Sequence, residues 1–538
     1  MVVSPLGWRQ QCRCQAVAPG RPLWLLGPLL GTCLVMPRLS RQWLSGPAVE
    51  AAAATMIGWR PPLRPLGHGC PCGRYSEGVA SPAPPSPWAG ALELAHEAWE
   101  EDRHTEAVRL YTGVLTAAGA TGESPGDLPV REHLQCHANL GSSYMALASV
   151  RGAPGAAPDL EAREALLAAS LLHWRVAERV GPASPLLDYF LASVSRDLDL
   201  ASAATSIARD EAEMVAAPMS GPGLILDAIE RRDASELSYT EFMERYAVPG
   251  VPVVITGLAT PKWDLDLLEE LCGDQEVPRL RHDPAAAGEG WAALEGGDDR
   301  VTLREHLRGI RQDGGARAPG APMLFDHALA DVCPELLEDF VVPRYFAIDY
   351  LRAVPEAERH EVWPSPSRFP SLFVQPAGTR CGLHVDQAGT HFYQMLLAGR
   401  KRWRIFRPEE APRLYPRGHG LLFEADTFEP NFGRFPLLAT ARAGEAVLGP
   451  GEAIFVPQGS PHQVLNEEAT IAVSANYVAG VGLEASLREL KLLAQAGTRP
   501  EYLRTAEALR RWAPAPGAPL PQDPGDLSWR DFDTAAWM

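Results

Sequence analysis

"HVDQAGTHFYQMLLAGRKRWRIF", residues 384–406, opens with a histidine and an aspartate two positions apart and closes on alternating basic and apolar residues. In extended backbone, residues i and i+2 project from one face, so the His384 imidazole and the Asp386 carboxylate can converge on one ion. The pattern alone carries little weight. With 14 histidines and 67 acidic residues, roughly two such His-x-Asp/Glu triplets arise by chance. Two occur, and the other, His104-Thr105-Glu106, falls in a helical pattern where i and i+2 diverge.

The same stretch holds Lys401, one of only three lysines in the chain with Lys262 and Lys491; arginine fills every other basic position. A compact ammonium on a flexible stem fits a narrow pocket that a planar guanidinium would overfill. Beside a metal site, such a cation can hold the far carboxylate of a 2-oxo acid whose other end chelates the metal.

Downstream, "GPGEAIFVPQGSPHQVLN" (449–466) offers a third ligand, His462, after a Gly-Pro-Gly turn, an apolar strand and a Pro-bounded loop. Two imidazoles and one carboxylate make the facial triad of non-haem iron(II), with positions left open for co-substrate and oxygen. Zinc or manganese could use the same ligands. His391 and His419 compete for the third place. His391 is seven residues from His384 and would face the other side of a strand, and His419 lies in a "PRGHG" loop expected to be exposed.

Around these residues the chain is similar to the Jumonji C (JmjC) iron(II)/2-oxoglutarate oxygenases, closest to the branch described as a bifunctional arginine demethylase and lysyl hydroxylase. His384, Asp386, Gly389-Thr390, Gly399 and Lys401-Arg402-Trp403 keep the spacing of that branch, and "PGEAIFVPQGSPHQVLNEEATIAVSANY" (450–477) resembles its second half. "LSYTEFMERYAVPGVPVVITG" (237–257) and "LLEDFVVPRYFAIDYL" (336–351) look like its upstream segments. The resemblance covers about 222–515. It implies a double-stranded β-helix, iron(II) on His384, Asp386 and His462, and 2-oxoglutarate and O2 as co-substrates with Lys401 as the anchor. It also implies Ser474 as a co-substrate-binding residue and Asn476 as a pocket residue. Gln394 stands where the branch has a pocket Asn, and Cys381 where it has a Thr three residues before the first ligand.

The rest of the chain frames this site. Short β-rich runs bounded by Gly and Pro, such as "PVVITG" (252–257), "SLFVQP" (371–376) and "TIAVSANYV" (470–478), point to a β-sandwich or barrel. The expected fold is a mainly β catalytic domain of the cupin type with flanking helices, preceded by an all-α, tetratricopeptide-like domain. Its helical periodicity runs over 91–216, with Leu140-Gly141 and Tyr144 matching an L-G-x-x-Y element. The expected division is 1–90 leader and linker, 91–216 helical, 222–515 catalytic, and 516–538 tail.

A net charge of -18 argues against general nucleic-acid binding, which needs a positive field. Residues 1–49 contain no acid, several arginines and the apolar run "PLWLLGPLLGTCLVM" (22–36). An organelle transit or signal segment is therefore an alternative to the favoured cytoplasmic or nuclear location, and no firm membrane association is expected. The nine cysteines show no paired zinc spacing and read as reduced thiols. By analogy the substrate is a protein side chain, with the helical domain available to a protein partner. The rival readings are a helical-repeat scaffold around a relic cupin barrel and a different metal-dependent cupin enzyme, which would have no use for Lys401.

Overall fold

The computed structural model describes residues 86–150, 156–214, 223–282, 294–295, 300–312, 321–359, 361–362, 369–495, 500–514 and 522–534. The leader with its targeting expectation, the Cys12/Cys14 and Cys70/Cys72 pairs and the linker up to residue 85 lie outside these residues.

Among the described residues five helices come first: α1 (Ala89–Glu100), α2 (His104–Ala117), α3 (Val130–Ala148), α4 (Leu160–Val180) and α5 (Pro185–Met214), each packed on the next. Asp159 caps α4 by accepting from the Ala162 amide at 2.9 Å, satisfying one of the orphan donors of the first turn. The Leu140-Gly141 element has a packing cause. A Cβ on Gly141 would lie 2.7 Å from the Trp174 indole, so only glycine lets α4 seat this fully buried ring, which stacks on Phe190 at 4.4 Å.

Between α3 and α4 runs a chain of imidazoles. His137 Nδ1 lies 2.8 Å from His173 Nδ1, and its Nε2 lies 3.1 Å from His133 Nε2. Burial, then the neighbouring imidazoles, pushes His137 down to about 3, and burial pushes His173 down to about 4; His133 is lowered too. Bases held neutral in the fold stabilise it above the unfolded value of about 6.5 and cost stability as pH falls through that value toward 4. The loss is bounded by about 1.4 kcal/mol per pH unit for each histidine, less the screening by solvent at the cluster's edge. Thermal unfolding from pH 7 to pH 4.5 should therefore show a falling Tm, and His137→Gln should flatten that fall. An equal slope in the variant would show that the acid sensitivity arises elsewhere.

The β domain has two facing sheets. One has seven strands in the order β2-β3-β9-β6-β11-β5-β4, and the other four in the order β1-β8-β7-β10. The strands are β1 (Ile225–Ala228), β2 (Arg231–Asp233), β3 (Val253–Thr256), β4 (Leu324–Ala328), β5 (Ser371–Gln375), β6 (His391–Ala398), β7 (Lys401–Phe406), β8 (Arg442–Leu448), β9 (Glu452–Val456), β10 (His462–Asn466) and β11 (Thr470–Tyr477). Strands pair antiparallel except β1 with β8 and β2 with β3.

The period of two sorts every strand. Phe373, Leu396, Trp403, Ile405, Ile454 and Ala472 meet between the sheets. Leu372, Val374, Tyr393, Met395, Phe455, Ile471 and Val473 belong to the larger core on the back of the seven-stranded sheet. Lys401 is in phase with Trp403 and Ile405, Gln375 with Phe373, Gln394 with Leu396, and Ser474 and Asn476 with Ala472. All five polar residues therefore face the space between the sheets. On the outer face of β7, Arg402 and Arg404 pair with Glu445, and Arg402 also with Glu467.

Two flanking helices, α6 (Leu483–Gln495) and α7 (Pro500–Trp512), close the back of the domain. The N-terminal helices are not detached from it. Ala204 of α5 shares a core with Leu383 and Val385, which bracket His384, and Arg196 of α5 pairs with Glu489 of α6 at 2.7 Å. His419, expected to be exposed, is instead held in this joint, its Nδ1 3.2 Å from Asp197 Oδ2 and its Nε2 3.2 Å from the Tyr189 hydroxyl. The expectation of reduced thiols fails at one pair. Cys272 and Cys333 form a disulfide across 61 residues, because two helical segments distant in sequence bring their Cα atoms to 5.5 Å. The expected tail is packed against the β domain over 522–534, where Leu527–Ser528 pairs with Val341–Val342. Among the described residues no helix is long and apolar enough to cross a membrane.

Candidate functional site

His384 and His462 lie directly opposite each other. The His384 amide donates to the His462 carbonyl at 3.1 Å and the reverse bond is 2.8 Å, so both side chains leave the same face of the bridge. Their ring centroids are 4.3 Å apart. Asp386, two residues on, brings Oδ1 to 3.6 Å from His384 Nε2. One ligand atom from each of the three residues lies within 4.8 Å of the other two, close enough for a single small cation.

The neighbours set each ligand. His384 Nδ1 donates to the Gly382 carbonyl at 2.8 Å, and His462 Nδ1 donates to the Ser460 carbonyl at 3.0 Å. A carbonyl can only accept, so both imidazoles are held as the Nδ1–H tautomer with the Nε2 lone pair free to ligate. Asn476 donates to Asp386 Oδ2 at 3.0 Å and to Thr390 Oγ1 at 3.0 Å, leaving Asp386 Oδ1 toward the histidines.

The electrostatics also suit a cation. Burial opposes the charged form of His384, yet Cys381 and Asp386 outweigh it and hold the imidazolium well above its usual range. Burial likewise opposes the Asp386 carboxylate, which His384, His462 and Asn476 nevertheless keep below its ordinary range. Burial and the adjacent His384 push His462 down to about 4. A buried cluster that stabilises positive charge at its centre suits a divalent ion. The donor set therefore fits a metal. Cys272, Cys333 and Glu335 are also gathered closely, but their two sulfurs are joined to each other and present no thiolate.

Lys401 is the second charged group expected at the site, and it faces the same space between the sheets. Its side chain is 2% exposed. Its ammonium donates to Gln375 Oε1 at 2.6 Å and lies 5.5 Å from the Phe373 ring centroid. Among the described residues no carboxylate is within ion-pair distance of it, and burial pushes it down to about 7. A buried ammonium satisfied only by a neutral amide lacks an anion. On the facing sheet, Gln394 and Ser474 stand opposite each other in register, and Gln394 Oε1 and Ser474 Oγ are buried with no hydrogen-bond partner among the described residues. A buried cation and two unsatisfied polar groups on the inner faces of β7, β6 and β11 fit a small carboxylate-bearing molecule.

The remaining expected residues divide. His391 faces the back of the sheet, between the rings of Phe455 and Tyr477, and accepts from the Gln458 amide at 3.2 Å; it is no ligand. Asn476, expected as a pocket residue, holds the Asp386 carboxylate. Cys381 places its sulfur 3.6 Å from His384 Nδ1, against the first ligand. Gln375 and the Gly382 and Ser460 carbonyls are additions that the sequence reading missed. Alternation along "SLFVQP" could have found Gln375; nothing in a side-chain pattern marks a carbonyl.

Residues 239–480 match the family described as the cupin-like domain. The chain is 30% identical over 268 residues to the bifunctional arginine demethylase and lysyl-hydroxylase psr-1 of Caenorhabditis elegans, covering 47% of this chain and 61% of that protein. It is 26% identical over 245 residues to lysine-specific demethylase 8 of Xenopus tropicalis, covering 44% and 50%. It is 25% identical over 274 residues to the 2-oxoglutarate and iron-dependent oxygenase JMJD4 of Mus musculus, covering 46% and 60%. The chain thus spans less than two thirds of the length of these relatives. Residues 239–480 thus match a cupin-like domain, and relatives named as demethylases, hydroxylases and oxygenases are similar to the chain over the same region that the motifs around His384 and Lys401 mark.

Proposed function

We propose that the chain is an iron(II)- and 2-oxoglutarate-dependent dioxygenase that hydroxylates protein side chains or, by hydroxylating N-methyl groups, demethylates them. The observation that carries this reading is the pairing of a metal-ready triad with a buried lysine that has no anion among the described residues. A triad alone suits several metal enzymes; Lys401 between the same two sheets calls for a dicarboxylate. His384, Asp386 and His462 hold the metal, with Asn476 fixing which carboxylate oxygen faces it. Lys401 binds the far carboxylate of 2-oxoglutarate, and Gln394 and Ser474 supply neutral hydrogen bonds. Trp403, Phe392 and Val464 exclude water around them. When bound, iron and 2-oxoglutarate supply the oxidation: O2 is consumed, the 2-oxo acid leaves as succinate and CO2, and one oxygen atom enters a substrate C–H bond.

In this reading 222–515 is the catalytic unit and 91–216 a tetratricopeptide-like module that meets the protein substrate or a partner. The relatives named as demethylases and hydroxylases support a protein substrate. The test is succinate release by purified protein with 2-oxoglutarate, with and without added iron, followed by a proteome-wide comparison of oxidised sites in cells carrying wild type or Asp386→Ala. Iron-dependent succinate release and side-chain sites lost in Asp386→Ala are expected. Release that persists in Asp386→Ala would overturn the reading.

A further inference from the structure

We propose that the C-terminal segment 522–534 is a strap that positions the metal-binding carboxylate, acting through Arg352 and Asp349 on the end of β11. The proposal rests on the reading of His384, Asp386 and His462 as metal ligands.

The strap is built into the domain at three levels. Leu527–Ser528 pairs antiparallel with Val341–Val342, and the Trp529 amide donates to the Phe340 carbonyl at 2.9 Å. Arg344 anchors its start, pairing with Asp523 at 2.9 Å and Asp526 at 3.4 Å. Its end closes over Arg352. The Arg352 guanidinium lies 4.5 Å from the Trp529 ring centroid and 4.6 Å from that of Phe532, and it donates to Asp533 Oδ1 at 2.5 Å. Arg359 donates to the same oxygen at 3.0 Å. The Arg352 side chain is 2% exposed. A guanidinium so buried is tolerated only where an anion and π faces receive it, and here the strap supplies both.

From Arg352 the contacts lead inward. Its Nη2 donates to the Phe369 carbonyl at 2.9 Å, and its amide closes a turn onto the Asp349 carbonyl at 3.0 Å. The buried Asp349 carboxylate accepts the Leu351 amide at 3.0 Å and the Val478 amide at 3.1 Å, while the Tyr350 amide donates to the Val478 carbonyl at 2.7 Å. Both backbone polar groups of Val478 are thus gripped by one turn. Val478 is the residue after β11, two positions beyond Asn476, whose amide holds Asp386 Oδ2. Burial pushes the Asp349 carboxyl up to about 6 against the opposing charge of Arg352, so its grip on Val478 depends on that guanidinium staying in place. A shift of Val478 moves the strand end that aims Asn476, and with it the Asp386 oxygen presented to the metal. Lys401 lies on the other sheet and is outside this path.

The test uses the full-length chain and Mn(II) as the metal probe, followed by loss of the free-ion magnetic resonance signal, with thermal unfolding measured in parallel. Asp533→Asn is expected to weaken Mn(II) binding roughly three- to tenfold, below the larger losses seen for groups bonded directly to a ligand. 2-Oxoglutarate affinity at saturating Mn(II) should stay unchanged, and Asp533→Glu should restore part of the Mn(II) affinity. A lowered Tm with wild-type Mn(II) affinity would make the strap merely structural and overturn the proposal. Should Asp533→Asn not fold, Phe532→Leu loosens the strap while keeping the carboxylate, and unchanged Mn(II) affinity there overturns it equally. Asp386→Ala separates the two readings: if it binds Mn(II) as wild type does, the metal assignment itself has failed and the strap proposal falls with it.

Discussion

Replacing His462 with alanine is expected to abolish succinate formation and to weaken metal binding by at least about a hundredfold. The imidazole is one of three candidate ligands gathered at the site among the described residues, and its tautomer is set by the Ser460 carbonyl. Losing one of three ligands removes a bond that water replaces poorly in a buried site, and even the groups that orient ligands are worth roughly ten- to a hundredfold in affinity. His391→Ala should leave metal binding intact, because that ring packs behind the sheet against Phe455 and Tyr477. His419→Ala should do the same while loosening the joint with Asp197 and Tyr189. Metal titration of the three variants decides the matter. If His391→Ala is as damaging as His462→Ala, the third ligand is misassigned.

Lys401→Met is expected to preserve metal binding and to raise the 2-oxoglutarate concentration for half-saturation steeply. A charge-assisted contact in a shielded pocket is worth on the order of 2–4 kcal/mol, or roughly thirty-fold to a thousand-fold in affinity. Lys401→Arg keeps the charge but carries a longer planar head into a space bounded by Gln375 and Phe373, so only partial rescue is expected. The free protein should respond in the opposite sense. Lys401 is buried with no carboxylate beside it among the described residues, so methionine removes an uncompensated charge, and the Tm without co-substrate should hold or rise. Succinate release against 2-oxoglutarate at saturating iron checks the first statement and thermal unfolding the second. An unchanged half-saturation in Lys401→Met would remove the reason for assigning 2-oxoglutarate to this pocket.

Much of the site was legible in the sequence because it is written in local periodicity. The spacing of His384 and Asp386, and the phase of Lys401 with Trp403 and Ile405, follow from the two-residue repeat of a strand. His462 was reachable because a turn, an apolar strand and a Pro-bounded loop precede it. What escaped depends on contacts between distant segments. The Cys272–Cys333 bond spans 61 residues; the Asn476 bond to Asp386 spans 90 and the Arg352–Asp533 pair 181. No periodicity encodes these. The same holds for the helices. Their pattern showed where they lie, but not that Ala204 shares a core with Leu383 and Val385. Deleting 91–216 would therefore uncover the segment carrying the first ligand, a deeper effect than loss of a docking surface.

The most direct test of the central claim is 2-oxoglutarate binding to purified full-length protein by titration calorimetry, with and without one equivalent of Mn(II). The expected result is one 2-oxoglutarate per chain in the presence of Mn(II), binding that is much weaker without the metal, and loss of that metal dependence in Asp386→Ala. Binding of equal strength with and without Mn(II), or equal binding by wild type and Asp386→Ala, would contradict a site in which the triad and Lys401 hold opposite ends of one molecule.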